Sequence, residues 1–256
     1  MLEQESRKQS GRVFDVRIDA ISLEAATEKI IAWGNNYESR YVCAVNVHSV
    51  VTSLESTGHA KVLEESDLNL SDGFPIAKLL GFQGFAGQQR VSGPDITLAL
   101  CAVAEQAHIP IYFLGSTDAV LVRLVYNLRQ LFPQLAVVGS HAPPFREMSS
   151  HELENIREDI KHNEAQLVFV GLGCPKQEIW MLNQKGHVNA VMIGVGAAFE
   201  FIAGTQRRAP LWLQKIGLEW LYRGIREPRR LAWRYIRTNT IFVLKVIPEF
   251  LTKKKS

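Results

Sequence analysis

Cysteine is scarce in this chain, and what there is lies scattered. Cys43, Cys101 and Cys174 are the only three in 256 residues. They form neither the paired spacing of a structural zinc site nor the even-numbered framework of a disulfide-stapled domain, so a reducing cytoplasm is the expected compartment. Long apolar runs are missing too. No segment reaches the ~18 apolar residues that a membrane-spanning helix needs. The nearest, Ile241 to Ile247, is interrupted by Lys245. The opening MLEQESRKQSGR has no apolar centre, so it does not read as a secretory signal and is expected to be a disordered lead-in. Two nucleotide signatures are also absent. Gly171-x-Gly173 runs on to Lys176 and Gly194-x-Gly196 runs on to Phe199, where a dinucleotide fingerprint requires glycine. No Walker lysine loop occurs, which lowers both NAD and ATP readings.

Charge is present but unevenly divided. The whole chain carries a formal +3, from 29 basic and 26 acidic residues. From Thr205 onward there are 13 basic and 3 acidic residues, a net +10, which leaves 16 basic and 23 acidic residues, a net −7, for Met1 to Gly204. A basic end on an acidic body points to an anionic partner for that end: phosphate, nucleic acid or membrane. Its densest part, GLEWLYRGIREPRRLAWRYIR (Gly217 to Arg237), holds six arginines among two tryptophans and two tyrosines.

Apolar runs at Tyr41–Val47, Ile109–Gly115, Leu135–Gly139, Ala165–Gly173 and Asn189–Gly196 read as buried strands. Between them Leu23–Trp33, Asp95–Ala107, Thr117–Phe132 and Ser150–Asn163 read as helices, the last without a clear cap. This alternation predicts an α/β fold whose parallel sheet is covered on both faces. After Gly204 no strand pattern remains, and Pro210 and Pro228 are each expected to be a first helical residue. The expected organisation is therefore an α/β body over 13–204 and a basic helical appendage over 205–256.

Ligands of open α/β sheets sit beyond the carboxyl ends of the strands. Small residues fall there at Gly115, at Gly171 and Gly173 with the following Lys176, Gln177 and Glu178, and at Gly194 and Gly196. Glycine admits close backbone approach, and the next helix offers free N–H groups to an anion. Each such turn is equally at home as a purely structural device. Asp72, in LNLSDGFPI, is the carboxylate best placed at a strand end, although Asp-Gly is also a strong turn dipeptide. Arg90 precedes a helix start, where its planar fork suits an anion or solvent alike. His48, His108 and His141 share no ligand spacing, and Cys174 has no histidine partner visible in the sequence, which makes it a poor nucleophile.

The segments LSDGFPI, QRVSGPD, FLGS, VGLGCPKQEIW, GVGAAFEFIAGTQRRAP and GLEWLYRGIREPRRLAWRY, in this order and spacing, resemble the WecG/TagA/CpsF family of bacterial glycosyltransferases over nearly the whole chain. The resemblance implies a Rossmann-like parallel-sheet body with a basic C-terminal appendage. It implies transfer of a sugar from a UDP-sugar to a polyprenyl-diphosphate-linked saccharide, with inversion, at the cytoplasmic face of the membrane. The products would be cell-surface polymers such as teichoic acid or exopolysaccharide. It further implies Asp72 as general base, Arg90 and Gln177 at active-site positions, Asn46 as a substrate contact, and no required metal or cofactor. The family's Thr-x-Asn is here Ala44-Val45-Asn46, so a hydroxyl is missing. The donor sugar is accordingly N-acetylmannosamine, its uronic acid or another hexose. No Asp-x-Asp is present to hold a divalent cation. Arginines are expected to neutralise the departing diphosphate instead: Arg223 and Arg226 on one helix face, Arg230 and Arg234 on the next, beyond a phase break at Pro228. The aromatics, IFVLKVI and the lysines 253–255 suit an anionic membrane surface. Away from lipid such an appendage would favour a homo-oligomer. The competing classes are a nucleic-acid-binding module and a Rossmann oxidoreductase. The first lacks any helix-turn-helix, zinc-finger or RNA-recognition signature, and the second lacks the glycine fingerprint.

Overall fold

The computed structural model describes residues 9–253, the side chains of Arg230 and of 247–253 excepted. The fold is α/β. Strands β3 (Arg40–Val45), β4 (Leu68–Ser71), β5 (Ile111–Gly115), β6 (Val137–His141), β7 (Leu167–Gly171) and β8 (Val191–Gly194) form one sheet in the order β4-β3-β8-β7-β5-β6. Every pairing in it is parallel. All six carboxyl ends therefore lie along one edge. The chain steps outward from β3 to β4 on one side and from β5 to β6 on the other. It then returns to fill the centre with β7 and β8.

Strand alternation explains how both faces are buried. Tyr41, Cys43, Val45, Tyr112, Leu114, Val168, Val170 and Met192 feed one apolar cluster. Val42, Ile111, Phe113, Leu167, Phe169, Val191 and Ile193 feed the other. The second is capped by α1 (Leu23–Asn35), α5 (Gly93–Ala107), α6 (Asp118–Leu131) and the short α9 (Ala198–Ile202). The first is covered by α2 (Val47–Glu55), α3 (Thr57–Glu64), α4 (Phe74–Phe82), α7 (Ser150–His162) and α8 (Lys176–Gln184). Strands expected from the apolar runs are all present; β3, β5, β7 and β8 are shorter than expected by one to four residues, and β6 keeps its length but starts two residues later. Helix α7 does have a cap: Ser149 accepts from Glu152 N–H while Glu152 accepts from Ser149 N–H, a capping box one residue earlier than the expected start.

The lead-in is not wholly irregular. Ser10–Val13 (β1) and Val16–Asp19 (β2) pair as an antiparallel hairpin, so strand structure begins inside the segment expected to be disordered. The rest of that segment, 1–8, lies outside the described residues. Its anchor is polar. Asp19 accepts from Arg17 at 2.5 Å and from Asn69 N–H at 2.7 Å, and Asn69 Nδ2 donates to Arg17 O at 2.9 Å. The hairpin thereby covers β4, an edge strand with the unpromising sequence LNLS.

Beyond α9 the chain is helical: α10 (Leu211–Lys215), α11 (Glu219–Arg226), a π-helical turn (Pro228–Ala232) and α12 (Trp233–Lys253). Pro228 opens its turn as expected, whereas Pro210 sits one residue earlier, at the N-cap of α10. Eight residues, 203–210, lie between α9 and α10, and α11 keeps an exposed face, but α12 is docked on the body. Phe242 is buried and meets Phe14 edge-on at 5.8 Å, and Arg237 pairs with Glu55 on α2 at 2.7 Å. IFVLKVI therefore divides its residues. Ile241, Phe242 and Val246 pack on the body while Val243 and Leu244 face outward. The side chains of Ile247 and Lys253, with residues 254–256, fall outside the described residues.

Candidate active site

A cleft of about 1120 Å³ runs along the carboxyl edge of the sheet, roofed by α11 and α12. Every strand of the sheet leads into it: Asn46 follows β3, Asp72 β4, Ser116 β5, Pro143 β6, Gly173 β7 and Gly196 β8.

Asn46 is the N-cap of α2. Its Oδ1 accepts from His48 N–H at 3.0 Å and Ser49 N–H at 3.2 Å. That fixes the amide, whose Nδ2 then points to Asp72 Oδ2 at 3.4 Å. Asp72 is held by its own N–H, donated to Val45 O at 2.9 Å. Burial pushes the Asp72 carboxyl up to about 6; Arg90 opposes the rise, Glu219 adds to it, and the Asn46 bond and Arg223 oppose it. A carboxylate titrating there is still mostly ionised at neutral pH and is more basic than an exposed aspartate.

Arg90 is close to Asp72 electrostatically but already engaged. It donates to Glu219 of α11 at 2.5 Å and to Gln214 at 2.9 Å, and sits 3.6 Å from Asp95. Arg208 donates to both Asp95 oxygens, at 2.6 and 3.0 Å. Two cations and two anions thus tie the start of α5 to the C-terminal helices. The Arg90 guanidinium, expected to meet an anion, lines the cleft and also joins body to roof.

The glycine turns divide in the same way. Gly115 has φ +132°, and a Cβ on it would lie 2.5 Å from the Gly171 carbonyl, so it permits the close approach of β5 and β7. A Cβ on Gly171 would meet the Phe199 ring at 2.7 Å, and one on Gly194 would meet Met181 at 2.7 Å. These three serve packing at least. Gly173 (φ +78°) and Gly196 (φ +57°) border the cleft, but their N–H groups are not free. Both donate to Gln177 Oε1, each at 3.1 Å. Gln177 is a buried staple between the β7 and β8 turns, and its Nε2 donates to Glu178 at 2.9 Å. Lys176 is the exposed member of this trio and faces the cleft.

Of the four arginines expected at a diphosphate, Arg223 and Arg234 line the cleft. Arg223 lies over the Phe201 ring at 5.1 Å, and Arg234 over Tyr235 at 5.3 Å. The Nε of each is buried without a hydrogen-bond partner. Arg226 is exposed, stacked on Tyr222 at 5.5 Å, and does not reach the cleft. The side chain of Arg230 lies outside the described residues. Three neighbours escaped the sequence reading. Ser116 donates to Glu200 at 2.8 Å within the cleft. Glu219 reaches Arg90. His59, from α3, lies 3.7 Å from Cys174 Sγ, supplying the histidine that the sequence did not show. Burial raises the Cys174 thiol well out of the thiolate range, so it is not an activated nucleophile.

The sequence profile of the "Glycosyl transferase WecG/TagA/CpsF family" matches residues 11–256. Among curated relatives, three Staphylococcus aureus proteins, from strains MW2, NCTC 8325 / PS 47 and COL, are each 24% identical over 248 residues, 96% of this chain and 95% of theirs. Each is named N-acetylglucosaminyldiphosphoundecaprenol N-acetyl-beta-D-mannosaminyltransferase.

Proposed function

The chain belongs to the WecG/TagA/CpsF glycosyltransferase family, and from that premise we propose that it moves a hexose from a UDP-sugar to a polyprenyl-diphosphate-linked saccharide, with inversion, in cell-surface polymer synthesis. The observation that carries this reading is the pairing, in one cleft, of a basic carboxylate and two guanidiniums whose Nε atoms lack partners: Asp72 against Arg223 and Arg234. Asp72 takes the proton from the acceptor hydroxyl as that oxygen bonds to the anomeric carbon. The bond from that carbon to the diphosphate breaks on the opposite face. Arg223 and Arg234 neutralise the charge that builds on the departing UDP, the part a bound cation plays elsewhere. Lys176 adds a further positive charge at the same edge. The Ser116–Glu200 pair offers an acceptor oxygen for sugar hydroxyls of the donor.

In this reading residues 13–204 are a Rossmann-like catalytic body and 205–256 the appendage that closes it. The relatives' names support an N-acetylmannosamine donor and an undecaprenyl-diphosphate-linked N-acetylglucosamine acceptor. Ala44, a buried residue in the lining of the same cleft, brings no hydroxyl beside Asn46, which widens the donors to the uronic acid or another hexose. The decisive experiment incubates the protein with a panel of UDP-hexoses and a short-chain lipid-diphosphate N-acetylglucosamine, and weighs the products. A lipid product heavier by one hexose residue, N-acetylated or oxidised according to the donor, is expected. Free UDP without a heavier lipid would reject the acceptor, and no turnover of any UDP-sugar would reject the donor class.

No helix among the described residues is long and apolar enough to cross a membrane. Among the described residues, ten of the 17 exposed large apolar side chains nevertheless lie between Leu211 and Leu244, Trp212, Ile225 and Trp233 among them. Set among arginines, they support peripheral attachment to an anionic surface at the cytoplasmic face. Binding to vesicles containing phosphatidylglycerol is expected to weaken as salt rises, and Trp233→Glu to weaken it at every salt. Binding indifferent to both changes would reject this surface.

A further inference from the structure

We propose that His59, Cys174 and Glu178 form a binding site for a zinc-like divalent cation, separate from the departing diphosphate. One donor atom from each residue lies within 4.8 Å of the others, and Cys174 Sγ and His59 Nε2 are 3.7 Å apart. A tetrahedral zinc with Zn–S about 2.3 Å and Zn–N about 2.0–2.1 Å separates those two atoms by about 3.6 Å. The pair already stands at that spacing.

The second observation is what these groups lack. His59 and Glu178 are each 1% exposed, and Glu178 Oε2 is buried with no hydrogen-bond partner. Among the described residues no lysine or arginine forms a salt bridge with Glu178. A buried carboxylate is costly unless it is neutralised or paired. A divalent cation resolves this directly. It would displace the proton of the Cys174 thiol and any proton on Glu178, and neutral His59 would complete the set. Thiolate and carboxylate together carry two negative charges, and the ion carries two positive. The thiolate selects zinc, cobalt or a similarly borderline ion over magnesium. The three residues come from α3, from the turn between β7 and α8, and from the first turn of α8, so the ion would pin the cleft-lining turn Gly171–Cys174 to α3. The fourth coordination position would remain for water.

The test uses the untagged full chain, stripped of metal under reducing conditions and then loaded with Co²⁺ or Zn²⁺. One equivalent per chain is expected to survive desalting. The Co²⁺ form is expected to show a thiolate-to-cobalt charge-transfer band in the near ultraviolet. Cys174→Ser should abolish that band and weaken retention at least about tenfold. Glu178→Gln should keep the band while weakening retention. Circular dichroism and melting of the metal-free variants establish that they fold, and zinc should raise the melting temperature of the wild type but not of Cys174→Ser. Wild-type protein that retains no more metal than Cys174→Ser, or a cobalt–thiolate band that persists in Cys174→Ser through Cys43 or Cys101, would overturn the site.

Discussion

Asp72→Asn is expected to lower sugar transfer by ~10² to ~10⁴, the usual worth of a positioned general base, while leaving the fold intact. The amide keeps the shape and can still meet the Asn46 side chain, but it cannot accept the acceptor's proton. The loss should therefore fall on kcat more than on donor affinity, measured by UDP titration alongside turnover. The pH profile supplies an independent readout. Because the Asp72 carboxyl titrates at about 6, wild-type kcat/KM should fall with decreasing pH through that value, and the variant should have lost this limb. Stability should move the other way. A carboxyl raised from 3.8 to about 6 on folding contributes stability below pH 4 that is lost as pH rises through 6. The Asn variant escapes that loss. It should melt higher than the wild type at pH 8 and gain little at pH 4. Near-normal turnover at pH 8 would remove Asp72 from the base role, whatever the melting curves show.

The limits of the sequence reading have physical causes. The central strands were legible because both of their faces are buried, so apolar side chains run without interruption through Tyr41–Val45 and Leu167–Val170. β4 was legible only as a short apolar stretch, and the hairpin beside it not at all. What holds the hairpin is Asp19, Arg17 and Asn69 in mutual hydrogen bonds, and charged residues near a terminus look the same whether they are solvated or paired. Asp72 could be placed because a strand end fixes where a side chain emerges, whereas Asn46 entered through the family resemblance. Gln177 could be placed as well, but whether its amide would meet a ligand or two glycine N–H groups depends on a contact with Gly196, nineteen residues away. Arg90 is the same case at longer range, since Glu219 lies 129 residues further on. Helical spacing grouped Arg223 with Arg226, yet a three-residue step rotates the side chain enough for one to enter the cleft and the other to remain in solvent. Proximity of His59 to Cys174 is purely tertiary, as they lie 115 positions apart in the chain.

Arg223→Ala and Arg234→Ala are each expected to cost ~10² to ~10³ in kcat, the effect of removing one preorganised charge or donor from a developing anion. Neither makes a salt bridge in the described structure, and the Nε of each is buried and unpartnered. A buried guanidinium nitrogen left without an acceptor is a standing cost, roughly 1–3 kcal/mol for a polar group in general. An incoming diphosphate would relieve that cost. Removing either side chain should accordingly change the melting temperature of the free enzyme little and reduce the rise that UDP produces. Arg226→Ala is the informative contrast: it lies outside the cleft, and a loss below tenfold is expected. If Arg226 proves as costly as Arg234, the roof closes in a different register and the cleft assignment fails. The cation question needs its own arm. Chelation alone cannot separate a leaving-group ion from an ion held by Cys174, so magnesium and manganese should be titrated into metal-stripped enzyme. Turnover that is undiminished without either ion is expected if guanidiniums carry the charge. A strict, saturable requirement for magnesium would transfer that role from the arginines to the ion, since magnesium does not favour the thiolate site.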